Sequence, residues 1–111
     1  MAYWILNTYT RQSVDTPFYI RRTLGEIKTE SVIGAKIVEY ENAGKITHYS
    51  IRYSEDALTQ KVKIGFDTKE NYDTFKAFCD SQEEFTTLKS DFVANNNLTT
   101  DYTTSETEPT I

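Results

Sequence analysis

The stretch from Val62 to Leu98 constrains the fold more than any other part of the chain. Val62, Ile64 and Phe66 alternate with Lys61, Lys63 and Gly65. That period of two predicts a strand with one apolar face and one wet face. Asp67 follows, with Glu70 three residues on. Asp in the cap role with a glutamate at that spacing is a variant capping box, so a helix is expected to start there. Tyr72, Phe75 and Phe78/Cys79 recur at three- and four-residue spacing and mark one apolar stripe. Asp80-Ser81 offers a break and a fresh cap, and Phe85, Leu88 and Phe92 continue helical spacing in a second piece. Asn95-Asn96-Asn97 ends it, because asparagine tolerates the left-handed conformation of a helix end. The Thr- and Tyr-rich run Leu98 to Thr104 suits a final edge strand.

The remaining elements complete the order. Tyr3, Ile5, Asn7 and Tyr9 fall on one face of a first strand, with Trp4, Leu6 and Thr8 on the other. Residues 18–43 are ambiguous: Phe18, Ile20 and Arg22 alternate like a strand, while Ile20, Leu24 and Ile27 space like a helix. Val32, Ile33, Ile37 and Tyr40 can line one side of a helix within roughly 26–42, with Gly44 as its stop. The rival is a hairpin turning at Glu41–Gly44. Ile46 to Ser54 reads as a strand, with Thr47, Tyr49, Ile51 and Tyr53 on one face and Ile46, His48, Ser50 and Arg52 on the other. Ser54-Glu55-Asp56 turns the chain, and Gln60 to Phe66 returns antiparallel. Right-handed crossovers then place the helices on one side of a four-stranded antiparallel sheet. The expected fold is α+β and ferredoxin-like, β-α-β-β-α-β, in one domain over residues 1–104. Residues 105–111, with two glutamates and a proline, read as a disordered acidic tail.

Composition narrows the partners. With 111 residues the chain can build one core, and its eight tyrosines and six phenylalanines supply much of the area to bury. Net charge is −5, unevenly spread: residues 1–67 carry +1 and residues 68–111 carry −6. An acidic helical half repels phosphate, so nucleic acid is not an expected partner. One cysteine, Cys79, allows no intramolecular disulfide and suits a small apolar filler. Tyr3-Trp-Ile-Leu6 is too short for a secretory leader, and no stretch reaches transmembrane length, so a cytoplasmic protein without a membrane partner is expected. Asn97-Leu-Thr99 matches a glycosylation sequon, read as chance without a leader.

Several pieces together resemble the dimeric α/β-barrel superfamily of ferredoxin-like proteins, which includes the antibiotic-biosynthesis monooxygenase domain, and within it small uncharacterised proteins of marine phage and metagenome type. The likeness rests on Ala2-Tyr-Trp-Ile-Leu-Asn-Thr-Tyr-Thr10, Asp15-Thr-Pro-Phe-Tyr19, Ser54-Glu-Asp-Ala-Leu-Thr59 and the strand and helix pair from Val62 to Leu98. Asn95-Asn-Asn-Leu98 stands where such chains often carry Asn-Gly-Ile. The resemblance implies a homodimer with two sheets packed face to face, and virion association if the chain is phage-encoded. A physical need points the same way, since a bare sheet side exposes a partly aromatic patch. The alternative is a monomer whose wet face carries His48, Ser50, Arg52, Lys61 and Lys63.

No motif carries chemistry on its own. If Asn7 and Tyr9 of the first strand share a face with His48 and Arg52 of the second, polar groups converge between two sheets, as a small-ligand site requires. Cofactor-free monooxygenases of the resembled fold use Asn, Trp, His and Arg in such a cleft, but Asn7 and Trp4 lie on opposite faces of an ideal strand. The bland reading is a wet sheet face. His48 is the only histidine and has no second metal ligand near it in sequence, so no metal and no cofactor is expected. Glu55-Asp56 and Glu83-Glu84 are neighbours whose side chains point apart, which disfavours an acid/base dyad. Arg21-Arg22 with Arg11 can form a local anion patch or surface ion pairs. Three readings follow: a non-catalytic accessory or structural homodimer, a ligand-binding dimer using the inter-sheet cleft, and a cofactor-independent oxygenase.

Overall fold

A computed structural model describes residues 1–16, 32–82, 94 and 97–110. The order is β1 (Tyr3–Thr10), α1 (Val32–Asn42), β2 (Ile46–Tyr53), β3 (Thr59–Phe66), α2 (Lys69–Ser81) and β4 (Thr99–Ser105). The strands form one antiparallel sheet in the order β2-β3-β1-β4, the β-α-β-β-α-β arrangement expected from the sequence. The expected second helical piece at Phe85, Leu88 and Phe92, its stop at Asn95 and Asn96, and the readings at residues 17–31, Arg21-Arg22 among them, lie outside the described residues.

Strand parity decides which side each residue faces. Ile5 pairs with Ile64, Asn7 with Val62 and Tyr9 with Gln60, so the odd residues of β1 and the even residues of β3 share a face. Both helices cover that face. Ile5, Tyr9, Ile37, Tyr40, Ile46, Val62, Ile64, Phe66, Tyr72 and Phe75 form one buried cluster, with Phe66 at 0 % exposure. The aromatic stripe of α2 meets the sheet through ring contacts: Phe66 lies 5.6 Å from Tyr72, edge-on, and 5.5 Å from Phe75, tilted. Tyr40 of α1 approaches Phe75 at 5.5 Å, which joins the helices. Cys79 packs against this cluster. Gln60 is buried with it, and its amide donates to the Tyr53 hydroxyl at 3.1 Å, as a buried polar group must.

Local signals set the ends. α1 forms rather than the rival hairpin, and Gly44, at φ +75°, stops it. The Lys45 N–H donates to the Tyr40 carbonyl at 2.8 Å and the Gly44 N–H to the Glu41 carbonyl at 3.1 Å, the two bonds of a Schellman end. Asn97 takes φ +54° just before β4, the left-handed role read from the asparagine run. The cap of α2 sits one residue later than the sequence suggests. Thr68, in extended conformation, accepts from the Asn71 N–H at 3.1 Å, while Asp67 accepts from the Asn71 side chain at 2.7 Å. The Asp67 N–H is still tied to the Lys45 carbonyl at 3.0 Å, so the helix begins only beyond it. A second correction concerns Ile46. A bulge between Ile46 and His48 lets Ile46 pair with Phe66 and join the core, whereas simple alternation puts it with His48.

Arg11, a candidate for an anion patch, is used structurally. Its guanidinium donates to the Ala57 carbonyl at 2.9 Å and the Thr16 carbonyl at 2.7 Å, latching the end of β1 to the β2–β3 turn. In that turn Asp56 accepts from the Ser54 hydroxyl at 2.6 Å and the Leu58 N–H at 3.0 Å, and these bonds hold its carboxyl below the usual range.

Candidate functional site

The helix-free face is built from the opposite parity. Trp4, Leu6 and Thr8 of β1 pair with Gly65, Lys63 and Lys61 of β3, which pair in turn with His48, Ser50 and Arg52 of β2. Gly65 lies between Trp4 and His48 and makes room for the indole. A Cβ at residue 65 would stand 2.5 Å from the Trp4 ring. The indole therefore lies over the glycine and approaches the His48 ring at 5.8 Å. The Lys63 ammonium stands 5.6 Å above the same indole, a cation–π contact.

Within residues 105–111, the stretch the sequence reads as a disordered tail, Glu108 and Pro109 meet Lys63 on this face. Ser105 closes β4 opposite Trp4. Its hydroxyl accepts from the Thr107 N–H and donates to the Thr107 carbonyl, both at 2.8 Å, which turns the chain. Glu108 then reaches the Lys63 ammonium at 2.6 Å, and the Pro109 carbonyl accepts from the same group at 3.4 Å. The reason is electrostatic. The Lys63 side chain is only 9 % exposed at the centre of the sheet, and a buried ammonium requires a counter-charge. Lys63, hydrogen-bonded to Glu108, holds that carboxyl below its ordinary range.

His48, Ser50, Arg52, Lys63, Glu108, Pro109 and Thr110 line a cavity of ≈ 340 Å³ between the sheet and this strap. His48 Nε2 and the Ser50 hydroxyl are 3.0 Å apart. The four residues read from the sequence as one site are thus divided. His48 and Arg52 line the cavity, while Asn7 and Tyr9 face the helices, Tyr9 within the core. Parity places each correctly within its own strand, but the relative facing of β1 and β2 is set by their separate pairings with β3. The sequence reading does not single out Lys63 or Glu108 as site residues. A lysine on the wet side of an interior strand is the signal for the first; nothing local marks the second. Among the described residues, no group of three or more His, Cys, Asp or Glu is placed to hold a metal ion. Among the same residues no helix is long and apolar enough to cross a membrane.

No family model matches the chain, and no curated protein matches it. A crystal structure of a dimeric ferredoxin-like protein from an uncultured marine organism aligns with 100 % of both chains at a TM-score of 0.59 and 12 % identity. At that identity the likeness concerns the fold, and it agrees with the element order and strand pairing: this chain has the ferredoxin-like fold.

Proposed function

We propose that the protein is a homodimer that pairs through the helix-free side of its sheet and acts as a non-catalytic accessory or structural unit. The observation that carries this reading is the unequal cover of the two sheet faces. Both helices pack on one side, while on the other Trp4 and Leu6 of the central β1 remain half-buried among Thr8, Lys61 and Thr103. An apolar centre in a polar rim is what one sheet buries against another. The dimeric state of the marine ferredoxin-like protein supports the reading, as does the resemblance to the dimeric α/β-barrel superfamily. With a net charge of −5, a nucleic-acid backbone is a poor partner. Size-exclusion chromatography with light scattering tests the pairing. Twice the chain mass of 12.8 kDa is expected, with Leu6→Asp reverting to one; a wild-type monomer overturns it.

A second reading, a small-ligand site on the helix-free face, rests on the cavity at His48 and Arg52, which one chain forms between its sheet and residues 108–110. The oxygenase reading has less support, because Asn7 faces away from Trp4, His48 and Arg52. His48 is hydrogen-bonded to Ser50 rather than to an orienting carboxylate.

A further inference from the structure

We infer that the cavity on the helix-free face is a binding site for a small organic carboxylate, and that Glu108 is a built-in competitor occupying part of it. The inference deepens the ligand-binding reading by naming a ligand class, and it does not depend on the pairing of two chains.

The argument starts from charge. In a chain of net −5, this cavity is lined by two cationic side chains, Lys63 and Arg52, against a single carboxylate, Glu108. Lys63 is the anchor: its ammonium is buried, fixed over Trp4, and already ligated by a carboxylate at 2.6 Å. The site therefore displays the chemistry it accepts. Arg52 stands opposite Lys61 and diagonal to Lys63 on the same face, so its guanidinium borders the same space. Among the described residues Arg52 has no acidic partner, although a guanidinium is built to take a carboxylate in a two-pronged bond. The Ser50 hydroxyl and the His48 ring add hydrogen-bonding atoms to the lining. A cavity of ≈ 340 Å³ sits at the small end of the ligand-site range of ~300–1,000 Å³, which fits an organic acid of few carbons.

The strap supplies the second half of the inference. Glu108 is itself more than half exposed, and its segment is held to the sheet through the contacts to Lys63 and the local turn at Ser105. A surface carboxylate on a short segment can be displaced by a free one. An incoming acid takes Lys63 from Glu108 and gains Arg52 as well. Occupancy by Glu108 lowers the apparent affinity by the fraction of molecules in which the strap is closed.

Trp4, the only tryptophan, lies against Lys63 and His48, so its fluorescence reports on the site. Titration of the full chain with succinate, against sodium chloride of matched ionic strength, should give a saturable change that the chloride does not. Glu108→Gln should saturate at roughly threefold lower succinate or less, because the competitor has lost its charge. Arg52→Gln should need on the order of tenfold more. Both changes are on exposed side chains outside the hydrophobic core, and far-UV circular dichroism checks that each variant keeps the fold; Lys63→Met should abolish the response. The inference is overturned if succinate and chloride act alike, if Glu108→Gln saturates where the wild type does, or if Arg52→Gln binds as the wild type. Inorganic phosphate binding as tightly as succinate would overturn the carboxylate class in favour of a general oxyanion site. Light scattering on the same samples reads the oligomeric state separately: a monomer that binds succinate ends the pairing proposal and leaves the site standing.

Discussion

The two faces of one sheet are held by different physics. On the helix-covered side, Ile5, Val62, Ile64 and Phe66 are buried against Ile37, Tyr40, Tyr72 and Phe75, and the driving force is the removal of apolar and aromatic area from water. On the helix-free side the middle of the sheet is occupied by Lys63 and a glycine, covered by an indole and a short acidic strap. Here the contacts are cation–π and ion-pair contacts around a cavity. The same strands supply both sets, since alternate residues of β1, β2 and β3 go to opposite sides. The first face carries stability. The second is closed by the contacts of an exposed carboxylate and one carbonyl to Lys63, so it is expected to open at less cost than the core, as a binding or pairing surface needs.

The sharpest test is a pair of truncations, one on each side. Phe66→Ala removes a fully buried ring from the core and should cost about 3–5 kcal/mol in urea denaturation. Leu6→Ala, on the half-buried side of β1, should cost about 1 kcal/mol when the protein is dilute enough to be monomeric. Equal costs would break the contrast between the faces. An effect smaller than that of Phe66→Ala is expected at Gly65, where an added Cβ would meet the Trp4 ring. Gly65→Ala sets a methyl against the Trp4 ring, and either the indole moves off His48 or the strand shifts, at about 1–3 kcal/mol. In Trp4→Ala the same change should be nearly free. A double-mutant cycle with no coupling would mean the indole does not rest on the glycine.

How much of this was legible in the sequence differs by face. Alternation fixes which neighbours oppose one another within a strand, so Ile5 against Leu6, or Val62 against Lys63, is read correctly from residue order alone. The core follows from that parity plus the helical stripe Tyr72, Phe75. Ile46 escapes because the bulge at Thr47 shifts the parity by one, and a bulge has no signal here beyond an unremarkable threonine. The site is less legible for two reasons. Grouping Asn7 and Tyr9 with His48 and Arg52 needs the relative facing of strands that never touch, β1 and β2, which only their common neighbour β3 decides. The Lys63–Glu108 pair joins residues 45 apart, and an acidic stretch with a proline gives no hint that one of its carboxylates answers a buried ammonium.

A change at the start of α2 sharpens the contrast from the stable side. Thr68→Ala removes the hydroxyl that caps Asn71 and should cost about 1 kcal/mol, with Thr68→Asp nearly neutral. Because α2 lies across the sheet from the strap, the Trp4 emission of the folded state should not change in either variant. An altered folded-state spectrum would show that the two faces communicate.

The smallest effect isolates the strap. Lys63 holds the Glu108 carboxyl below its ordinary value of 4.5, so Glu108 binds a proton more readily in the unfolded chain than in the folded one. The stabilisation from this contact is then fully present above pH 4.5 and is lost as the pH falls through the lowered folded value. The carboxylate is half exposed and screened by solvent, so global stability should barely register the change. Trp4 fluorescence should register it, because Lys63 loses its anchored partner while still lying over the indole. An acid transition in Trp4 emission, seen well before the core melts and absent in Glu108→Gln, is the expected outcome. Asp56 titrates in the same direction but sits in the β2–β3 turn among Ser54 and Leu58, so Asp56→Asn should leave that transition in place. If the transition instead follows Asp56, or coincides with global unfolding, the strap is not an independent unit and the helix-free face has no latch to open.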